Sequence, residues 1–252
     1  MRTASLAVKT VQSPTPAPLG DTASRQSFGV RVADIAGLRR DGSSFVCQRR
    51  IPAIPIFDDA VAAFAQGTPF KTETGFVPVE DLQPGDALLT DHDERHTITW
   101  IASALFAPAE HRERIQLTRI MTDSFGMNRP QSFITLGSAA RIMKAPPDLR
   151  NSTVAKHMMT PASRFLDGVN VIDLTPPTPI RLFHIGLQHH AAISAAGLPV
   201  ESYHPGMNPM SHLSQSLQEA FTGLFPHLHS LSDFGPLRFT RTPECPEDTA
   251  AD

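Results

Sequence analysis

Proline recurs along almost the whole of this chain, and no other feature of the sequence restricts its fold as strongly. The 252 residues include 23 prolines, about 9% of the chain, where soluble domains usually contain roughly 5%. Proline lacks a backbone N–H and disrupts the interior of a helix, so it is tolerated mainly in turns and at strand ends or edges. The sequence therefore predicts short strands joined by turns, with few long helices.

The overall composition is that of a folded domain, and it excludes several functional classes. Hydrophobic residues make up 40% and charged residues 19% of the chain, a balance typical of neither disordered nor membrane-spanning proteins. The net charge of −3 provides no basic field, so general nucleic-acid binding is not expected. Cys47 and Cys245 are too few for a disulfide framework or a Cys-x-x-Cys zinc ribbon. We expect neither a cofactor nor a metal.

The N-terminal residues bear on cellular location. Lys9 interrupts the apolar residues after a few positions, whereas a signal peptide needs an apolar run of roughly 7–15 residues. No run approaches the ~20 apolar residues of a membrane span. The cytoplasm is therefore the expected location, and export through another kind of signal stays open.

The first sixty residues divide into a tail and a short β segment. Residues 1–27 are rich in Ser, Thr, Pro and Ala, which is typical of a flexible tail. Residues 28–60 form an N-terminal β extension, in which Asp41-Gly42 is a favourable hairpin turn. Residues that precede proline avoid the helical region, so the stretch Ile51–Phe57 is predicted to be extended along a sheet edge.

Short β-like stretches then follow one another closely, and they predict a mostly β domain over residues 61–206. Turn dipeptides such as Pro84-Gly85 separate them. The predicted strands lie at residues 75–79, 86–90, 96–101, 114–120, 132–136, 140–143, 169–174, 180–187 and 190–194.

The C-terminal part of the chain changes to a helical period. An apolar stripe with helical spacing runs through the C-terminal extension, residues 207–240, and consists of Leu213, Leu217, Phe221 and Leu224. We expect Ser211 to cap this helix and Pro226 to end it. The helix could cover an open sheet edge or dock a partner. Residues 241–252 form an acidic tail, of which residues 244–252 carry four acids and no base and are predicted to fray.

Two stretches carry motifs that point to a known family. The first is Phe64-Ala65-Gln66-Gly67-Thr68, followed by Gly75-Phe76-Val77-Pro78-Val79-Glu80-Asp81-Leu82-Gln83-Pro84-Gly85-Asp86. The second is Phe183-His184-Ile185-Gly186-Leu187-Gln188-His189-His190, followed by Gly197-Leu198-Pro199-Val200-Glu201-Ser202-Tyr203. With Trp100-Ile101 between them, these stretches resemble bacterial forms of the Hint domain, the autoprocessing module of hedgehog proteins and inteins. The resemblance covers about residues 63–206.

This resemblance implies both a fold and a reaction. The implied fold is a horseshoe of curved antiparallel strands with pseudo-twofold symmetry, to which this chain adds its C-terminal helix. The implied reaction is self-cleavage, in which a cysteine at the first position attacks the preceding carbonyl carbon and forms a thioester. A histidine assists proton transfer at the nitrogen of the broken bond.

The side chains that this reaction needs are absent from the matching positions. Ala63 stands at the cysteine position, and a methyl group cannot act as a nucleophile. Ala140 stands at the histidine position, and Gly137 replaces the Ser or Thr of the same unit. Neither Cys47 nor Cys245 lies in a motif that could replace the missing thiol.

The C-terminal motif is altered in the same direction. Gln188 and Ala196 stand where the resemblance implies Asp and Asn, and only His190 is retained. Together with Thr68, these positions are the remnant of an ancestral site. The sequence therefore predicts a degenerate Hint domain that has lost autoprocessing and acts as a binding or interaction module. A peptide or protein partner would bind the former cleft, which we expect to be lined by Ala63, Thr68, Ala140 and His190.

Two alternatives stay open at this point. The domain could still cleave itself through an unorthodox nucleophile, for which Thr68 and Ser138 are the nearest candidates. A separate metal or hydrolytic site could be built from histidines, namely His184, His189, His190 and His204.

Overall fold

The computed structural model describes residues 29–90, 92–110, 113–149, 158–207 and 209–242. The predicted flexible tail, residues 1–27, and nearly all of the predicted acidic tail, including Cys245, lie outside these ranges. The strands are β1 (Val30–Leu38), β2 (Ser44–Pro52), β3 (Phe64–Ala65), β4 (Pro69–Thr72), β5 (Gly75–Pro78), β6 (Ala87–Leu89), β7 (Arg95–Phe106), β8 (Ala109–Glu110), β9 (Glu113–Arg114), β10 (Leu117–Ile120), β11 (Ile134–Leu136), β12 (Arg141–Met143), β13 (Met159–Pro161), β14 (Val171–Leu174), β15 (Ile180–Leu187), β16 (Ala192–Ala195) and β17 (Leu198–Glu201).

Helical structure is short throughout the described ranges. The two α-helices are α1 (Pro55–Asp58) and α2 (Gln215–Thr222), and the tighter 3-10 turns lie at Val79–Asp81, Pro147–Leu149, Ala162–Phe165 and Leu231–Phe234. No helix in the described part of the chain has the length and apolar character needed to cross a membrane. The prediction of a mostly β fold with a helix near the C-terminus is confirmed.

Fifteen of the strands in the described ranges form one antiparallel sheet. The longest of them, β7, pairs with three other strands. The N-terminal part of β7 pairs with β6, and its C-terminal part lies between β15 and β1. The main path through the sheet has the order β13-β12-β17-β16-β4-β6-β7-β15-β3-β11-β10-β14. Because β7 has partners in both halves of this path, the apolar residues along it contribute to the cores of both halves.

The N-terminal extension joins this sheet as a hairpin. Strands β1 and β2 are connected through the Asp41-Gly42 turn, where Gly42 adopts the left-handed region at φ +82°. β1 also pairs with β7, whereas β2 pairs with β1 alone, so β2 forms an edge. An edge tolerates Pro52, because its missing N–H has no neighbouring strand to bond.

The predicted extended stretch Ile51–Phe57 is only partly correct. β2 ends at Pro52, and the chain then forms the single helical turn α1. Ile54 is extended, as expected for a residue before proline, but Pro55 occupies the first turn of the helix. Proline is favourable there because its fixed φ suits a helix and a first-turn N–H would have no partner.

The C-terminal helix is shorter than predicted at both ends. Ser211 does not cap it; Ser214 is the N-cap residue, and its carbonyl accepts the first helical hydrogen bond from Gln218 at 2.9 Å. The helix also ends before Pro226, because Leu224 and Phe225 bond three residues back in tighter turns. These turns direct both side chains into the core, where they are fully buried.

One apolar cluster connects the N-terminal extension, the sheet and the C-terminal helix. Trp100 of β7 is buried at its centre and donates its indole N–H to the Leu224 carbonyl at 2.9 Å. Phe221 of α2 packs edge-on against Phe57 of α1, with ring centroids 5.5 Å apart. The two ends of the described chain therefore share one core.

Phe221→Ala tests this shared core. Removing a fully buried phenylalanine ring should lower the free energy of unfolding by about 3–5 kcal/mol, because a cavity opens between Phe57 and Phe225. Ser216→Ala, at an exposed position of the same helix, is the control and should change stability by less than about 0.5 kcal/mol. Urea unfolding curves give the free energy of unfolding of both variants. A loss for Phe221→Ala as small as that of the control would show that α2 does not belong to the core.

Candidate functional site

The sequence resemblance places self-cleavage at the peptide bond from Ala62 to Ala63. We call this bond the junction, and it is buried. Backbone hydrogen bonds hold it from both sides: Ala63 N–H donates to the Phe183 carbonyl at 3.1 Å. The Ala63 carbonyl accepts from Gly137 N–H at 2.8 Å, and the Ala62 carbonyl accepts from Ala139 N–H at 3.1 Å. The two alanines are 1% and 0% exposed, so solvent does not reach the bond.

Gly137 is required by the close approach of the Ala62 carbonyl. A Cβ atom added to Gly137 would overlap the Ala62 carbonyl oxygen and lie 2.9 Å from its carbon. From sequence, Gly137 was interpreted only as the loss of a helping hydroxyl. Its position shows that glycine also provides the space in which the two backbone segments meet.

Ala140 and Thr68 are both buried, with 1% and 3% of their surface exposed. Ala140 lies in the same apolar cluster as Ala63 and is 1% exposed. The Thr68 hydroxyl donates to the Ala65 carbonyl at 2.7 Å, which fixes the turn between β3 and β4. Ser138, the other candidate nucleophile, is exposed. The four residues predicted to line an open cleft, Ala63, Thr68, Ala140 and His190, are each no more than 3% exposed.

Ala196 and Gln188 both lie in connections between strands, but Ala196 is only 1% exposed and belongs to the same apolar cluster as Ala63. Ala196 and Gly197 form the turn between β16 and β17, with φ values of +49° and +85°. This left-handed geometry favours Asn over Ala, so an Asn here would serve the turn without any catalytic role. The backbone of Ala196 bonds Pro69 and Gln131, and Gln188 is exposed in the bend after β15.

His190, the retained histidine, belongs to a buried ionic cluster. Its Nδ1 accepts the Arg238 N–H at 3.0 Å, so the proton resides on Nε2, which donates to Glu201 Oε1 at 2.8 Å. Arg241 Nε also donates to Glu201 Oε1 at 2.9 Å, and Arg141 Nε lies 3.6 Å from Oε2. Burial favours a raised pKa for Glu201, but the His190 hydrogen bond and the Arg241 charge outweigh it and lower the pKa. Glu201 is therefore a buried carboxylate that needs these partners.

The residues that complete this cluster come from a segment that the sequence motifs did not indicate. We call residues 237–242 the C-terminal strap. The strap runs beside β13, where Met159 N–H donates to the Thr240 carbonyl at 2.8 Å and Thr242 N–H donates to the Met159 carbonyl at 3.0 Å. Arg241 also donates to the His204 carbonyl at 2.7 Å. In the sequence, the only indication of an extended segment here is the alternation of Phe239 and Arg241 after the turn residues Gly235-Pro236.

The other candidate histidines serve separate local contacts. His184 Nδ1 donates to the Asp59 carbonyl at 2.6 Å, and its ring packs edge-on against Tyr203. His204 Nε2 donates to the Gly235 carbonyl at 3.1 Å and its Nδ1 accepts from Gly206 N–H. His189 is exposed. Within the described ranges, no three His, Cys, Asp or Glu side chains are grouped as metal ligands.

Comparison with known proteins agrees with these motifs. A family model described as "Hint domain" matches residues 62–207, which is more than half of the chain. The chain therefore belongs to the Hint domain family, and the resemblance drawn from the sequence is confirmed.

Solved structures show only distant similarity. The solution structure of a bacterial intein-like domain from Clostridium thermocellum is 12% identical, and the match covers 57% of this chain and 99% of that one, with a TM-score of 0.35. The crystal structure of the MchDnaB-1 intein is 15% identical, with 56% and 100% coverage and a TM-score of 0.32. No curated protein matches this sequence.

Gly137→Ala tests the close approach at the junction. The added methyl group must displace the Ala62 backbone, so we expect a loss of at least about 2–3 kcal/mol in the free energy of unfolding. Gly42→Ala is the control for backbone strain alone, because its φ of +82° is unfavourable for alanine while no atom lies within 4 Å of the new Cβ. That variant should lose only about 1–2 kcal/mol. Equal losses in urea unfolding would contradict the packing at Gly137.

The pH dependence of stability tests the environment of His184. Burial lowers its pKa from 6.5 to about 4, against the opposing hydrogen bond to Asp59 and the charge of Glu201. The unfolded chain therefore binds a proton near pH 6.5 that the folded chain does not bind until about pH 4. Between these values stability falls as the pH falls, by about 3 kcal/mol for this group.

His184→Asn, which can still donate to Asp59, should make this pH dependence shallower. Burial also lowers the pKa of His227 to about 4, so part of the dependence remains. His212→Asn, at an exposed position, is the control and should leave the wild-type dependence in place. Urea unfolding from pH 4 to 7.5 measures the slopes, and an unchanged slope for His184→Asn would contradict the assignment.

Proposed function

We propose that this chain is a Hint domain that has lost self-cleavage and acts as an intact binding module. The observation that carries this proposal is the buried junction at Ala62–Ala63. Its backbone is held in place on both sides, but methyl groups occupy the positions of the nucleophile and of the histidine.

The chemistry of the junction supports this proposal. Acyl transfer needs a thiolate or alkoxide that attacks the Ala62 carbonyl carbon and a group that protonates the departing nitrogen. The Ala139 N–H still polarises the Ala62 carbonyl, but the side chains of Ala63 and Ala140 have no lone pair to offer. The Thr68 hydroxyl is directed to the Ala65 carbonyl. Polarisation without a nucleophile leaves the peptide bond intact.

The attachment of the N-terminal extension also supports an intact module. β1 pairs with β7, and three ion pairs link the extension internally or to later segments: Arg31–Asp58, Asp34–Arg181 and Arg40–Asp233. Phe57 and Val61 are fully buried in the cluster that includes Trp100 and α2. An extension anchored in this way is suited to remain part of the protein rather than to be released.

The binding role is supported by the way the domain holds a peptide segment. Strand β13 is an outer strand of the sheet path, and its Met159 bonds the backbone of the C-terminal strap. Addition of an extended segment to a sheet edge is a common mode of peptide recognition. The partner class that fits this module is therefore a peptide segment.

The intact mass of the purified protein tests the loss of self-cleavage. We expect a single species with the mass of all 252 residues, unchanged by hydroxylamine, because no thioester or ester forms at residue 62. A fragment that ends at Ala62, with or without hydroxylamine, would contradict the proposal. The search for a nucleophile would then return to Thr68 and Ser138.

A variant with both side chains restored tests why cleavage is absent. In Ala63→Cys/Ala140→His, the new thiolate can attack the Ala62 carbonyl carbon, the C–N bond breaks, and the nitrogen takes up a proton. We expect hydroxylamine to release fragments of 62 and 190 residues (252 − 62) from this variant. Ala140→His alone is the control and should stay intact, since it adds a base without a nucleophile.

A further inference from the structure

The C-terminal strap lies on the domain as an extended segment. Burial alternates along it: Leu237, Phe239 and Arg241 are half-buried, whereas Arg238 and Thr240 are exposed. Arg241 forms a parallel bridge with Met159, and the backbone groups on either side of it bond Met159. Phe239 and Arg241 therefore project from the same face, two residues apart, as alternate residues of a strand do.

The position beneath Arg241 is chemically selective. Glu201 is 4% exposed and charged, and its closest cation is Arg241, with Nε at 2.9 Å from Oε1. Arg141 lies farther away, at 3.6 Å from Oε2. The Arg241 guanidinium bonds a second acceptor, the His204 carbonyl, through Nη2. This geometry suits the several N–H donors of arginine, whereas lysine offers a single point charge.

The position beneath Phe239 is formed by His190. The two rings meet edge to face with centroids 5.3 Å apart, and Nδ1 of the same imidazole accepts the backbone N–H of Arg238. His190 Nε2 also donates to Glu201. The same histidine therefore contacts Phe239 and hydrogen-bonds the carboxylate that pairs with Arg241. His190 and Glu201 are therefore adjacent and contact two alternate positions of one extended segment. The first position holds an aromatic residue and the second, two residues later, holds an arginine.

The strap is the segment of this chain that fits these two positions. Phe239-Thr240-Arg241 is the one place in the full sequence where an aromatic residue is followed two positions later by arginine. The backbone bonds to Met159 do not depend on side chains, so they would accept a segment from another chain equally well.

We infer that the surface formed by Met159, His190, Glu201 and the His204 carbonyl recognises extended aromatic-x-arginine segments. The strap fills it in the isolated chain, and a segment of the same chemistry from a partner protein binds when it displaces the strap. This inference rests on the proposed function, since it specifies the partner of the intact binding module.

Peptide binding to full-length chains tests the inference. The probe is a fluorescent peptide with the sequence of residues 235–242, Gly-Pro-Leu-Arg-Phe-Thr-Arg-Thr. The test chain is Phe239→Ala/Arg241→Ala, in which the strap no longer fits. Fluorescence anisotropy should show the peptide binding this chain at least about tenfold more tightly than wild type, where the strap competes at a high effective concentration.

Two controls separate recognition from general loosening. An otherwise identical peptide with alanine at the second arginine should bind the test chain at least about tenfold more weakly, because it does not restore the charged partner that Arg241 gives Glu201. Arg238→Ala changes an exposed side chain of the strap, and this chain should bind the peptide as weakly as wild type. Equal binding of both peptides, or no binding to the test chain, would overturn the inference.

A milder variant keeps the test decisive if the double variant does not unfold cooperatively. Arg241→Lys retains a positive charge beside Glu201 but not the second bond to His204, and it should give the same ranking of chains and peptides. Absence of that ranking would likewise overturn the inference. Such a result with a single full-length mass would leave the loss of self-cleavage standing, whereas a fragment ending at Ala62 would overturn the proposed function itself.

Discussion

The structure depends on the backbone contact at which residues 62–63 lie between Phe183 and the Gly137–Ala139 segment. Three hydrogen bonds fix this contact, and the missing side chain of Gly137 allows it. Two apolar clusters meet here, because Ala63 and Phe64 belong to one and Ala62 and Ala65 to the other. The bond at which the sequence resemblance places self-cleavage is therefore a joint within the core.

Small side chains are what make this joint stable. Cysteine and histidine at the positions of Ala63 and Ala140 would place polar, titratable groups where both alanines are almost fully buried. Burial of such groups costs free energy unless every polar atom finds a partner. Alanine at both positions therefore favours a closed interior.

Glu201 lies in an extensive buried polar cluster that connects distant parts of the chain. Its partners come from the segment before β16, from β12 and from the strap, in the form of His190, Arg141 and Arg241. Removing one partner of a buried carboxylate strongly destabilises the fold. The positions of these three segments therefore depend on one another. For the same reason, Glu201 favours a positively charged, hydrogen-bonding side chain such as Arg241 beside it.

The sequence was sufficient for the fold class and for most strands with clear alternation, such as β7 and β15. It did not indicate β3 or β13. β3 has two residues, too few to show a period, and β13 ends in a proline, which is unfavourable in most strands. The helix ends were misplaced, since Ser211 and Pro226 fit general capping rules that the packing of Leu224 and Phe225 overrides. The motifs predict that Ala63 and Ala140 are degenerate positions, whereas the space that Gly137 provides and the turn at Ala196 required coordinates. The strap lay outside every motif.

The central claim is that the former processing junction is a closed part of the core, and amide hydrogen exchange tests it most directly. The Ala63, Gly137 and Ala139 amides donate to buried backbone carbonyls and should exchange only with global unfolding, at rates that follow the free energy measured in urea. The amides of Gln188 and His189, in the exposed bend after β15, provide the fast reference. Exchange at Ala63 and Gly137 well above the global rate would show that the junction opens locally, and it would contradict this account.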